Sequence, residues 1–100
     1  MSKISKPKVS LISKGKEFTI KKMEANAGEL LPKHKASHES VLVVIRGSCH
    51  FMFTKTPAAD QVLQEGDSII VPADIIHQIK AIHDLSALHI MPNGIQFDFL

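Results

Sequence analysis

The chain has 100 residues, of which 44% are hydrophobic and 22% charged, and a formal net charge of +2. That is room for one domain of ordinary globular composition, and it excludes a chain disordered throughout. The longest unbroken apolar run, Val41 to Ile45, is far too short for a membrane span, and a single cysteine, Cys49, excludes an internal disulfide.

The elements follow in chain order. Residues 1–100 are read as one domain, with 1–8 as a loose start. The lysines there have no apolar segment behind them, so this is no secretory signal, and a cytoplasmic location is the default. Nine of the twelve basic residues fall between Lys3 and Lys35. They are dispersed, none is arginine, and only Phe18 could stack on a base. The reading is lysines guarding a strand edge, with no nucleic acid and no membrane as partner. Glu17 to Met23 reads as a strand with Phe18 and Ile20 on one face. Gly28 to Leu31 leads to Pro32 and a polar stretch, Lys33 to Ser40.

Val41 to Ile45 is the strongest strand, Gly47 permits a tight turn, and His50 to Phe53 returns. Lys55 to Asp60 is a loop, and Ala58 to Leu63 has room for one helical turn. Gly66-Asp67 turns into the strand Ser68 to Val71, which Pro72 ends. Ile75 to Ile82 and Leu85 to Met91 are two further strands. Pro92, Asn93 and Gly94 turn into a short apolar tail. Many short strands with regular turns point to an all-β sandwich or small barrel. Alternation puts Leu42 and Val44 on the core face of their strand, and Val41, Val43 and Ile45 on the other. A strand apolar on both faces is covered on both, and in so small a domain a second subunit is the expected cover, giving a homodimer.

Six histidines stand in the chain, His34, His38, His50, His77, His83 and His89. Two of them fall in recognisable motifs. Gly28-Glu29-Leu30-Leu31-Pro32-Lys33-His34 opens a first motif that closes at Gly47. Gly66-Asp67-Ser68-Ile69-Ile70-Val71-Pro72 opens a second, with His77 in its histidine place. Together, in order and correctly spaced, these resemble the two motifs of the small single-domain cupins over about Phe18 to Met91. The resemblance implies a cupin-type double-stranded β-helix, a jelly-roll barrel of two antiparallel sheets, with His34 and His77 pointing inside.

It also implies a ligand set. Metal-binding cupins place a second histidine two residues after the first and a glutamate seven residues before the closing glycine. Here Ala36 and Ser40 hold those places. Asp74 replaces a motif glycine and Ala81 a motif asparagine. An ion such as zinc, iron, nickel or manganese needs three or four protein donors, and positions i and i+2 of a strand, about 6.6 Å apart, can share one. Ala36 removes that grip. On a regular strand His38 lies about 13 Å from His34, so it joins a His34–His77 site only through a bend over Lys35 to Ser37.

His50 and His89 lie on neighbouring strands with their facing open, and His83 is expected exposed near a turn. Cys49 faces away from His50, which reads as a buried thiol rather than a catalytic pair. Asp67 and Asp74 read as turn residues. Two functions stand. One is a metal-dependent enzyme on a small molecule, such as a dioxygenase or isomerase, with one divalent ion held by His34, His77 and His38. The other is a non-catalytic module that binds a small polar ligand in the same pocket without metal.

Overall fold

The computed structural model describes residues 4–100, and strands dominate it. They are β1 (Lys8–Lys14), β2 (Phe18–Ala25), β3 (His34–Ala36), β4 (Ser40–Arg46), β5 (Ser48–Phe53), β6 (Gln61–Gln64), β7 (Ser68–Val71), β8 (His77–Ala81), β9 (Leu85–Pro92) and β10 (Phe97–Phe99). They form two five-stranded antiparallel sheets, in the orders β1-β2-β9-β4-β7 and β10-β3-β8-β5-β6. This is the expected all-β jelly roll. Among the described residues no helix is long and apolar enough to cross a membrane.

Alternation on β4 sorts its side chains as expected. Leu42 and Val44 are buried, Val41 and Val43 half-buried, and Ile45 exposed. The core joins Val44, Cys49 and Phe51, each almost fully buried, to Leu63, Ile79 and Leu85. Burying one large apolar side chain of this kind contributes roughly 1.5–3 kcal/mol.

Four strands, β1, β3, β6 and β10, lie in stretches that the sequence pattern leaves as loop or tail. Their partners account for them. β1 pairs along β2, β3 and β10 pair with each other, and β6 pairs along β5. The helical turn expected within Ala58 to Leu63 is a 3-10 turn at Pro57–Ala59, after which β6 begins. The expected loose start lies partly outside what is seen. Met1 to Lys3 lie outside the described residues, but Ile4 bridges to Leu30, and Ser5 N–H donates to the Leu30 carbonyl (2.8 Å).

Two turn positions hold the architecture. Gly47 has φ +81°, and a Cβ there would lie 2.0 Å from the carbonyl oxygen of Asp84, so no side chain fits. Asp74, in place of the motif glycine, takes the left-handed conformation itself (φ +61°). Its N–H donates to the Ala36 carbonyl (2.7 Å), tying the turn before β8 to the end of β3. Asp67 accepts from the Gln64 N–H at 2.8 Å, so both aspartates are turn residues.

Candidate functional site

β3 and β8 meet through one pair, His34 opposite His77. That register stacks the two imidazoles edge to face, with centroids 4.4 Å apart. Each ring is fixed in the same way. Nδ1–H of His34 donates to the Pro32 carbonyl (3.1 Å), and Nδ1–H of His77 to the Ile75 carbonyl (3.0 Å). A carbonyl only accepts, so Nδ1 carries the proton and Nε2 of each neutral ring keeps a lone pair. His77 is buried against Phe51, the rings stacked at 5.1 Å. Burial pushes its pKa down to about 4, and His34 beside it works in the same direction. The Ile75 carbonyl opposes the shift by stabilising the charged ring.

A third histidine joins from β9. His89 sits on the inner face with Leu85, Ala87 and Met91, and its Nε2 shares a hydrogen bond with the Ser40 hydroxyl (2.8 Å). Ser40 stands where the resemblance implies a glutamate, and its hydroxyl positions this imidazole instead. Burial, then His34, His77 and Lys21, hold His89 down to about 4. Ala36 is buried and contributes no donor. His38 is not brought to the pair. The backbone does bend at Ser37-His38, but the bend turns His38 outward, where its Nδ1 meets the Ser37 hydroxyl (2.7 Å). His83 is exposed against Ser48, and His50 lies 3.8 Å from Asp60.

A cavity of about 660 Å³ opens beside His34 and His89, at the barrel mouth between the β1 and β10 edges. Its walls are apolar, with Met23, Leu31, Ile79 and Met91 deep and Phe97 and Phe99 across one side. The His34 ring lies 5.7 Å from Phe97 and 5.2 Å from Phe99. Lys21 and Lys6 also line it, and among the described residues no carboxylate does. One sequence reading expects a small polar ligand, and the walls of this cavity are mostly apolar.

A family model described as Cupin matches residues 15–94. The chain is a cupin. No curated protein matches it. Among solved structures, this cupin resembles a cupin-like protein of Thermotoga maritima at 18% identity and TM-score 0.79, over 92% of this chain and 74% of that one. It is similar to an uncharacterised conserved protein with a double-stranded β-helix domain from Klebsiella pneumoniae, at 16% identity and TM-score 0.78, over 98% and 89% of the two chains. It also resembles a salicylate 1,2-dioxygenase of Pseudaminobacter salicylatoxidans, at 12% identity and TM-score 0.72, over 83% of this cupin but 25% of that enzyme. These likenesses are of fold.

Cupins commonly hold a metal ion, and the donors here can be weighed against that. Among the described residues, no three His, Cys, Asp or Glu side chains are placed to share one ion. His34 and His77 offer two lone pairs, and the Nε2 of His89 is engaged by Ser40. A divalent transition metal needs one or two protein donors more. The residues present do not fit the group.

Sequence reasoning left out Lys21, Phe97 and Phe99, and left His89 open. The signal for His89 was its alternation with the apolar Leu85, Ala87 and Met91. Phe97 and Phe99 alternate with Asp98 in a tail too short to stand out. For Lys21 the pattern misleads. Phe18 and Ile20 do share a face, but it is the outer one, and Thr19, Lys21, Met23 and Ala25 face inward.

Proposed function

We propose that this cupin binds a small, largely apolar molecule in the cavity at the barrel mouth, with no ion held by the protein. The carrying observation is the lining. Its volume lies within the 300–1,000 Å³ or so of small-molecule sites, its walls are apolar, and its few polar groups converge. A metal-dependent enzyme is the second reading. It is favoured by the shared Nδ1–H locks of His34 and His77, the arrangement by which protein carbonyls orient metal-binding imidazoles.

One experiment separates the two. Tag-free protein is analysed for zinc, iron, nickel and manganese, then titrated with 2-naphthamide, a neutral apolar probe. The expected result is no stoichiometric ion, one probe site per chain, and loss of the site in Met23→Trp, which fills the cavity. A stoichiometric ion that disappears in His34→Ala would transfer the case to the metal-dependent enzyme.

We also propose a homodimer through the outer face of the first sheet. Val41 lies between Ile70 and Ile90 there, and Val43 beside Leu88. Ile45 and Ile70 are 39% and 54% exposed, leaving apolar surface that a second copy of the same face would remove from water.

A further inference from the structure

Lys21 is in an unusual place. On β2 it stands between Leu11 of β1 and His89 of β9, on the face that looks into the barrel. Its neighbours on that face, Met23 and His89, line the same apolar cavity. A lysine facing inward is normally explained by a carboxylate opposite it, because bringing a charge toward an apolar interior is costly unless it is paired. Among the described residues none is within ion-pair distance of Lys21, and no Asp or Glu contributes to the cavity wall. No described group around it is an anion. Lys6 stands at the rim, and His34 and His89 present imidazoles. The cavity therefore has apolar walls and a positive end without a counter-charge.

We propose that the ligand is a hydrophobic anion, a carboxylate on an aromatic or branched apolar body, with its charge at Lys21 beside His89. The proposal rests on the small-molecule reading above and names the chemical class that this site takes. The apolar body lies against Ile79, Met91 and the rings of Phe97 and Phe99. The carboxylate supplies the negative charge that the protein leaves out. Lys6 adds a weaker, solvent-screened attraction from the rim, which favours capture more than affinity. The low pKa of His89 comes first from burial, and Lys21 adds a smaller push in the same direction.

The test compares two probes of nearly equal shape, 2-naphthoate and 2-naphthamide. The chain has no Trp and no Tyr, so naphthalene fluorescence anisotropy reads binding without interference. Wild type is expected to bind naphthoate about tenfold more tightly than naphthamide, the scale of one charge-assisted contact. Lys21→Met should bring that ratio to about one by weakening naphthoate alone, while naphthamide binding shows that the variant is folded. Lys21→Arg should keep the preference. Equal binding of both probes by wild type would overturn the anion assignment and leave the small-molecule site standing, with Lys21 lending only its hydrocarbon stem to the wall. A preference that survives unchanged in Lys21→Met would overturn the role of Lys21. Binding of neither probe would overturn both this proposal and the reading beneath it.

Discussion

Two imidazoles, the buried His77 and the half-buried His89, make the interior sensitive to acid at the level of single residues. Each has a folded pKa near 4 against an ordinary 6.5, chiefly through burial. Between those values the unfolded chain binds more protons than the folded one, so stability rises with pH through this window. It is fully present above about pH 6.5 and is lost as pH falls toward 4. For His77 alone the loss is of the order of 3 kcal/mol by linkage. We expect the urea midpoint of wild type to fall steeply between pH 6.5 and 4, and His77→Gln to flatten that slope. A midpoint indifferent to pH across the window would count against it. Cys49 is a contrasting case. Burial raises its thiol to about 11, so it remains a neutral, unreactive filler of the core.

Among the elements, β10 is the one that shapes the site. It is three residues long and lies at a sheet edge, paired only with β3. Hydrogen bonds at both ends hold it. Leu100 N–H donates to the Lys33 carbonyl (3.0 Å), and Ser37 N–H to the Gln96 carbonyl (2.9 Å). Phe97 and Phe99 face the cavity but remain exposed and contribute little to the core, so the double substitution Phe97→Ala and Phe99→Ala should weaken naphthamide binding by tenfold or so while shifting the thermal midpoint by only a few degrees. A large loss of stability with binding intact would instead make β10 structural.

The same strand shows where the sequence stops being readable. β4, β7, β8 and β9 have the alternation or turn signals that mark strands, and the motif resemblance singled out His34 and His77, which lie opposite each other on β3 and β8. β3 and β10 are too short for any period, and each is a strand because the other is beside it. The outward turn of His38 follows from a bend at Ser37-His38, which residue spacing alone does not orient. His89 became part of the site through Ser40, a contact across 49 positions that no local pattern carries.

At the scale of the whole molecule, the dimer proposed through the outer face of the first sheet is open to a direct test. Val43→Glu is expected to give monomer or aggregate in light scattering, because a carboxylate buried in that interface would be unpaired. Wild type that remains monomeric at high concentration would remove the dimer. The wiring of that sheet carries a different consequence, in time rather than in space. β2 lies beside β9, and partners such as Phe18 and Pro92 come from opposite ends of the chain. Among the described residues, only β1 with β2 and β5 with β6 form hairpins from adjacent strands. Nearly the entire closure entropy must therefore be met before the central ladder offers any return. Refolding then belongs to the class of about milliseconds to seconds, which stopped-flow mixing resolves. Throughout that interval β4 waits, apolar on both faces, for the strand that arrives late in the sequence.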